Sequence, residues 1–428
     1  MLAKNHLIID DIDEILVTSI KERSDRLLIY FGWATASSMV SMSGIAPMLN
    51  LNTSSIVIRD PTRNWYNLPI EGLSRDADDL AAQIERRIGS FPRDKITACG
   101  SSMGGYAAIL FGLKLGVGRI VACAPQLMLH PNLPHSPKVP VTYTDLTPMI
   151  VRASKETKID IWYGAESFMD LYNLLRLRPR PNVSLNAIPG SMHNVMSAFK
   201  RRGEIDAFFR YMALGEPFTT KTVTIPREAR GPVTKAGRMF YVNQDYKAVI
   251  RTLKQIADDV DLSPVYCVIA DCFYRLSEFE KARIWYERAA AASHQNYDAH
   301  YGLGLTLEKL GKDRPAERAF KTSQDYFPSK DSERFARLAS VQFRLGKMKE
   351  AHKNYKIALD SGACPPKVHF EVAQILLEKG SLRKALEHFE VHAAANPHYK
   401  PTLAHIASLK ERIALMDAEV QEGMAPSD

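Results

Sequence analysis

The chemically most suggestive stretch of the sequence is a serine between glycines. Residues 100–105 read Gly-Ser-Ser-Met-Gly-Gly, which places Ser102 at the centre of the pattern G-x-S-x-G. A serine that attacks a substrate must project its hydroxyl from a sharp turn between a strand and a helix, and glycines two positions away on either side let the neighbouring backbone approach. Ser102 is therefore the candidate nucleophile, and Ser101, one residue off the pattern, is the second choice.

Apolar runs that alternate with helical patterns surround this motif. A strand over 95–99 is predicted directly before the motif and a helix over 103–115 directly after it. The other predicted strands are residues 14–20, 26–31, 55–59, 119–124, 159–163 and 182–188. The other predicted helices are residues 74–88, 145–154, 168–177 and 192–212. This alternation predicts an α/β domain, a mostly parallel sheet with helices on both faces.

The motif in this context resembles the α/β-hydrolase superfamily. In that superfamily the serine is activated by a histidine from a loop after the last strand, in the chain order serine, acid, histidine. The resemblance implies that His193 is the base, because it follows the strand 182–188 in the segment Pro-Gly-Ser-Met-His-Asn. His6 precedes the sheet, and His130 and His135 lie in a proline-broken loop, where we expect a surface position more than a pocket wall.

The sequence leaves two carboxylates open as the acid. The loop after the strand 159–163 contains Glu166 and then Asp170, while Ser167 occupies the position three after the glycine, where the superfamily usually has its acid. The neighbouring segment FMDLYNLLRLRP resembles proteins of bacterial polysaccharide loci in which an aspartate begins this helix. That resemblance favours Asp170, with Glu166 as the alternative, and either would hold the imidazole tautomer if it reached the ring.

The superfamily resemblance also implies an oxyanion hole. The backbone N–H of Met103 would be one donor, and the turn after the strand 26–31 would supply the second from Gly32, Trp33 or Ala34.

A polar and aromatic loop, RDPTRNWY at residues 59–66, follows another strand end. Together with GSSMGGYAAILFG it resembles hydrolase-like proteins encoded with bacterial surface-polysaccharide genes. This makes Asp60, Trp65 and Tyr66 candidate substrate-binding residues, and an ordinary surface loop is an equally good interpretation.

The second half of the chain is periodic, with a small residue recurring at the 34-residue period of tetratricopeptide repeats. The recurring alanines are Ala248, Ala282, Ala316, Ala351 and Ala385, and the small residues twelve positions before them are Ala236, Ala270, Gly304, Ala339 and Ala373. Aromatics follow the last four alanines at Tyr286, Phe320, Tyr355 and Phe389. The pattern resembles the tetratricopeptide family and implies about five helix pairs whose concave groove binds a peptide or protein; a dimerisation surface or spacer is the alternative.

These signals predict an α/β-hydrolase-like domain over residues 1–214, a linker over 215–231, and an all-α repeat solenoid over 232–400. A capping helix and a frayed tail are predicted over 401–428. The apolar side of the capping helix is expected to carry Leu403, Ile406, Leu409, Ile413 and Met416.

Composition narrows the class of protein. The 428 residues carry a formal net charge of +8, but the basic clusters at 175–181 and 200–202 lack interleaved aromatics, so we expect no nucleic-acid partner. No run is long enough for a membrane span, the N-terminus does not fit a secretory signal, and the five scattered cysteines fit a reducing compartment, which predicts a cytoplasmic protein. Neither a metal nor a cofactor motif is present.

The sequence therefore predicts a serine hydrolase, an esterase or acyl hydrolase that acts on a small-molecule or glycan ester through an acyl-serine. Its repeats would bind a protein partner, and homo-oligomerisation is compatible with them. Acyl transfer to a sugar hydroxyl would use the same residues. The alternative from another class is an inert hydrolase-like domain carried by a repeat-based adaptor.

Overall fold

The computed structural model of the chain describes residues 7–12, 15–21, 24–32, 45–327, 329–362 and 364–423. The chain divides into two compact units, one of residues 1–276 with 288–296, the other of residues 277–287 with 297–428. The domain boundaries expected from the sequence stay a prediction. Among the described helices, none has the length and apolar character needed to cross a bilayer.

The first unit contains a mixed sheet of eight strands within the described residues. The strands are β1 (Leu7–Ile12), β2 (Leu16–Ile20), β3 (Leu27–Phe31), β4 (Ser54–Ile58), β5 (Ile96–Ser101), β6 (Arg119–Cys123), β7 (Lys158–Gly164) and β8 (Val183–Ile188). Their spatial order is β1-β2-β4-β3-β5-β6-β7-β8. Strand β2 is antiparallel to both of its neighbours, and the five remaining pairs are parallel.

Helices cover both faces of this sheet. They are α1 (Ala46–Leu49), α2 (Ala77–Ile88), α3 (Met103–Lys114), α4 (Thr147–Arg152), α5 (Phe168–Leu174), α6 (Val195–Arg201) and α7 (Ile205–Leu214). On one face Tyr30 of β3 belongs to a core cluster with Phe199 and Phe208 of α6 and α7. On the other face Phe31 stacks on Phe111 of α3, with ring centroids 5.3 Å apart. Burial on both faces explains why β3 is a continuous apolar run and why β4 is apolar after its two buried serines.

Helix α1, strand β1 and the helices after β8 differ from the sequence-based expectation, and α1 was not predicted at all. Strand β1 was not predicted, because its sequence LIIDDI contains adjacent aspartates, which are depleted in strands. The single helix predicted over 192–212 is instead the pair α6 and α7. They are separated at Gly203, whose φ of 71° is the left-handed conformation that ends helices.

The same unit continues through the segment predicted as a linker. Gly215 ends α7 in the left-handed conformation, and the Val223 N–H donates to the Ala187 carbonyl of β8 at 2.9 Å. The helices α8 (Arg230–Gly237), α9 (Tyr246–Lys254) and α10 (Ser263–Arg275) follow. A π-helical segment, Arg238–Asn243, lies between α8 and α9 and makes the first predicted repeat irregular.

The C-terminal region is an all-helical solenoid of the tetratricopeptide type, as predicted. Its helices are α11 (Phe279–Ala292), α12 (Tyr297–Lys309), α13 (Asp313–Tyr326), α14 (Ser332–Arg344), α15 (Met348–Ser361), α16 (Pro366–Glu378), α17 (Leu382–Ala395) and α18 (Lys400–Gly423). A Cβ added to Gly304 would lie 2.5 Å from the Phe320 ring, and one added to Gly302 would lie 2.3 Å from the Tyr286 ring. Small residues are thus required where the paired helices cross.

Helix α18 seals the last repeat with a narrower apolar side than predicted. Leu409 is buried, and Ile406 and Ile413 pack against the same core. Leu403 and Met416 are 44% and 51% exposed, so the expectation that they belong to the buried side is wrong. The tail predicted to fray from Asp417 onward is instead helical as far as Gly423, so that part of the expectation is wrong, and the residues after 423 lie outside the described part of the chain.

A group of histidines packs between the last repeat helices. The Nδ1 atoms of His369 and His388 are 3.0 Å apart, and Thr402 hydrogen-bonds His392 Nδ1 at 2.8 Å. Burial lowers the pKa of all three imidazoles below the ordinary 6.5, and neighbouring imidazoles lower that of His369 and His388 further. The unfolded chain therefore binds protons in slightly acid solution that the folded chain does not, so stability is lost as the pH falls below the unfolded pKa.

We expect the repeats to melt several degrees lower at about pH 5.5 than at about pH 7.5, a range in which histidine is the main side chain that titrates. Circular dichroism melting of the full chain measures this. The double variant His369→Gln/His388→Gln should show a smaller difference between the two conditions. If the melting temperatures at the two pH values differ as much in this variant as in the wild type, these imidazoles do not cause the pH dependence.

Candidate active site

Ser102 lies on a strained turn between β5 and α3. Its φ of 55° and ψ of −116° fall in a region that side-chain-bearing residues rarely adopt. Such a conformation persists only where the surroundings enforce it. One such restraint is a hydrogen bond in which the Ser102 N–H donates to the Cys123 carbonyl at the end of β6, at 2.8 Å.

The glycines around Ser102 have the packing role predicted for them. A Cβ on Gly100 would lie 2.4 Å from the backbone of Gly104, and a Cβ on Gly104 would lie 2.1 Å from the Phe31 carbonyl oxygen. Only glycine therefore lets the turn fold against itself and against β3.

His193 approaches Ser102 from the loop that follows β8. Its Nε2 lies 2.9 Å from the Ser102 Oγ, and its Nδ1 lies 2.7 Å from Asp170 Oδ1. The carboxylate dictates that Nδ1 carries the proton, so Nε2 accepts from the serine hydroxyl. A Cβ on Gly164, at the end of β7, would lie 2.0 Å from the Met192 carbonyl oxygen, so this glycine lets the histidine loop come close.

Asp170 is held on the first turn of α5. Its N–H donates to the Oγ of Ser167, the residue that caps the helix, at 3.2 Å. Its Oδ2 accepts from the Gly164 N–H at 3.2 Å, which leaves Oδ1 for His193. The side chain is only 2% exposed, so water does not compete for it. Ser167, at the usual position of the acid, is therefore a helix cap that orients the real partner of the histidine.

Glu166, the alternative acid, hydrogen-bonds elsewhere. Its Oε1 accepts from the Gly190 N–H at 3.2 Å, and its own N–H donates to the Ser191 carbonyl at 3.0 Å. Burial raises the pKa of its carboxyl, against hydrogen bonds from Gly190 and Ser293 that lower it. Glu166 thus braces the loop that carries His193 without contacting its ring.

The environment of His193 favours the protonated imidazole. Burial alone would lower its pKa, but the charge of Asp170 and the hydrogen bond to it outweigh burial and raise the pKa above 6.5. The side chain is still 39% exposed, so a substrate can reach it. A base that accepts a proton from serine needs this stabilisation.

Ser102 and His193 open into a cavity of about 870 Å³. Apolar parts of its described wall come from Trp65, Met103 and Phe209. His135 also lines it, although the sequence favoured a surface loop for this residue. Trp65 Nε1 donates to the His135 carbonyl at 2.9 Å, which ties the two loops together. Burial, followed by electrostatic interactions with His193 and Lys138, lowers the pKa of His135.

Asp60 and Tyr66 shape the wall without lining it in the described part of the cavity. Asp60 accepts from Thr62 and from the Tyr66 N–H, both at 2.9 Å. Tyr66 is fully buried, and its hydroxyl donates to the Gly32 carbonyl at 2.8 Å. The expectation that these two residues contact substrate is corrected accordingly. They fix the loop in which Trp65, with a φ of 59°, faces the cavity.

One oxyanion donor has a clear position, and the second does not. The Met103 N–H belongs to the first residue of α3, where a helix offers no internal acceptor. The Gly32 N–H, however, donates to the Ile58 carbonyl at 2.8 Å, so the expectation that Gly32 is a donor is wrong. Trp33 and Ala34, the remaining candidates, lie outside the described residues.

Comparisons with known proteins bear on the repeats. The tetratricopeptide repeat family model matches residues 337–400. No curated protein matches the chain. Among solved structures, YrrB, a TPR protein with an unusual peptide-binding site, is 18% identical over 40% of this chain and 87% of its own, with a TM-score of 0.36. A MamA fragment from Desulfovibrio magneticus is 15% identical over 41% of this chain and 99% of its own, with a TM-score of 0.36. The C-terminal part of a TPR protein from Cytophaga hutchinsonii is 19% identical over 44% of this chain and 73% of its own, with a TM-score of 0.35.

Proposed function

We propose that the first unit is a serine hydrolase that cleaves an ester on a small molecule or glycan, and that the repeats bind a protein partner. The observation that carries this proposal is the hydrogen-bonded chain from Ser102 through His193 to Asp170, which opens into a cavity. The order serine, acid, histidine along the chain and the strand-to-helix turn at Ser102 are those of the α/β-hydrolases that the sequence resembles. The predicted cytoplasmic location and homo-oligomerisation belong to the same proposal.

In the acylation step, the Ser102 oxygen attacks the ester carbonyl carbon while His193 Nε2 takes the hydroxyl proton. The resulting alkoxide accepts a hydrogen bond from the Met103 N–H. As the tetrahedral intermediate collapses, the bond to the alcohol oxygen breaks and His193 returns its proton to that oxygen. Asp170 stabilises the imidazolium throughout, and an acyl-serine remains.

In the second step, a nucleophile releases the acyl group. Water gives up a proton to His193 and its oxygen attacks the acyl carbon. The bond from that carbon to the Ser102 oxygen then breaks and His193 returns the proton to this oxygen, which releases the carboxylic acid and restores both residues. A sugar hydroxyl in place of water would make the protein an acyltransferase with the same residues. Trapping the acyl-enzyme and supplying either acceptor separates the two activities.

A repeat-based adaptor with an inert first unit is the competing hypothesis. The match of residues 337–400 to the repeat family supports partner binding under either hypothesis. An adaptor, however, gains nothing from a serine held in a strained conformation beside a histidine and a buried aspartate. Strain of this kind concentrates at functional sites.

A fluorophosphonate serine probe tests whether Ser102 is activated. We expect the full-length protein to be labelled at Ser102, as located by mass spectrometry, and labelling to be lost in Ser102→Ala and His193→Ala. Ser101→Ala is the matched control, because it removes the neighbouring hydroxyl and should keep the label. Folded protein that takes up no label would favour the adaptor.

A further inference from the structure

A second cavity in the first unit has no role in the proposed hydrolysis. It measures about 1240 Å³ and shares no described lining residue with the cavity at Ser102. One wall is the segment 175–179, part of a basic cluster apparent in the sequence. The other wall comes from residues 224–227, α8 and the π-helical segment that follows it.

The described lining of this cavity is strongly basic. Its charged residues are Arg176, Arg178, Arg227, Arg230, Lys235 and Arg238, with no aspartate or glutamate among the lining residues. Arg176 forms an ion pair with Asp145 at 2.9 Å, and Arg230 donates to the Leu177 carbonyl at 2.9 Å. Within the described chain, the other four make no ion pair with a carboxylate.

Two groups of basic residues in the repeats, by contrast, have carboxylate partners. Arg344 lies between Glu308 and Asp313, at 2.9 and 2.7 Å, and Glu317 receives Lys321 at 2.7 Å and also Lys347. Clustered cations without such partners repel one another and cost stability. A cluster of that kind is expected where an anion is to be bound, because the ligand supplies the missing charge.

The lining also defines the kind of anion. Five of its six cations are arginines, whose planar guanidinium groups pair bidentately with phosphate or carboxylate oxygens. Leu175, Leu177 and Ile225 form a buried apolar part of the wall. We propose that this cavity binds a small ligand that carries a diphosphate, or an equivalent pair of oxyanion groups, beside an apolar or ring portion.

Isothermal titration calorimetry of the full-length protein tests the site with three probes at one ionic strength: inorganic pyrophosphate, ADP and citrate. We expect one molecule of ADP to bind per chain, more tightly than pyrophosphate, because its ring adds contacts with the apolar wall. Citrate that binds more tightly than ADP would identify the oxyanion pair as carboxylates. The double variant Arg178→Gln/Lys235→Gln should weaken binding at least about tenfold, since it removes two charge-assisted contacts.

The control Arg86→Gln/Lys155→Gln removes the same net charge from exposed positions elsewhere and should bind as the wild type does. The double variant at the cavity should also melt, without ligand, at the same or a higher temperature than the wild type. Absence of one-to-one binding by all three probes would overturn the proposal. Equal weakening of ligand binding in the two double variants would also overturn it, as would a cavity variant that melts at a lower temperature than the wild type. Fluorophosphonate labelling of Ser102 should be unchanged, so this test is separate from that of hydrolysis.

Discussion

Replacing Asp170 with asparagine is expected to lower hydrolysis of a reporter ester such as p-nitrophenyl acetate about 10⁴-fold in kcat. The structure places Asp170 Oδ1 2.7 Å from His193 Nδ1, where it fixes the tautomer with the free lone pair on Nε2. Asparagine keeps the size of the side chain, but its amide can donate to Nδ1 and favour the opposite tautomer. The imidazole would then present a proton to Ser102 and could no longer accept one.

The pH dependence distinguishes this role from a structural one. Against the lowering effect of burial, Asp170 raises the pKa of His193 above 6.5, and kcat/KM falls as the pH drops through that pKa because the base becomes protonated. In Asp170→Asn the acid limb of the pH profile, where the residual kcat/KM falls, should therefore lie at a lower pH than in the wild type. A merely destabilised protein would lose activity without this displacement.

Glu166→Gln is the matched control, since it alters the other carboxyl of the same loop. Glu166 accepts from the Gly190 N–H and does not contact the imidazole, and a glutamine oxygen can keep that hydrogen bond. We expect a change of less than about tenfold in kcat and an unshifted acid limb. If Glu166→Gln proved the more damaging change, the acid would have to be reassigned.

The serine and the histidine could be predicted because their positions are encoded locally. Gly100 and Gly104 flank Ser102 because the backbone passes too close to both positions for a Cβ atom. The strand and the helix on either side have ordinary apolar patterns. His193 follows from the strand that precedes it. The patterns that place each residue at a strand end span only a few positions and are evident in the sequence. The pairing of Ser102 with His193, 91 positions apart, was implied by the superfamily resemblance.

The sequence favoured Asp170 over Glu166 only through a resemblance, and the contacts that distinguish the two carboxylates, like those of the loops, required the three-dimensional structure. Glu166 and Asp170 lie four residues apart, and their different partners depend on how the turn 188–191 packs beside α5. Tyr66 belongs to a polar loop in the sequence, but its hydroxyl reaches the Gly32 carbonyl and its ring meets Phe31, with centroids 5.6 Å apart. Sequence spacing does not specify such long-range contacts.

In the repeats, too, local patterns could be predicted and features that depend on long-range contacts could not. The paired small and aromatic residues predicted the helix crossings, where Gly304 meets Phe320. The irregular π-helical segment after α8 and the exposure of Leu403 were not evident, because each depends on which neighbours cover that turn of helix.

Gly104→Ala is expected to destabilise the first unit by about 3 kcal/mol or more, as overpacking against an immobile neighbour does. The added methyl would lie 2.1 Å from the Phe31 carbonyl oxygen and 3.0 Å from that of Gly32. Both are backbone atoms at the end of β3, and β3 is paired on both sides by β4 and β5, so neither can move without disturbing the sheet. The displacement falls on the turn that carries Ser102, so labelling by the fluorophosphonate probe should be lost as well.

Urea unfolding measures the change in free energy, and Gly231→Ala provides the comparison. A Cβ at Gly231 meets no atom within 4 Å, so this substitution near the start of α8 should be neutral or slightly stabilising. If Gly104→Ala were as stable as Gly231→Ala and still reacted with the probe, the close packing of the turn against β3 would be wrong. The proposed positioning of the nucleophile by that packing would fall with it, because the strained conformation of Ser102 would then depend on the hydrogen bond to Cys123 without support from the packing of Gly104.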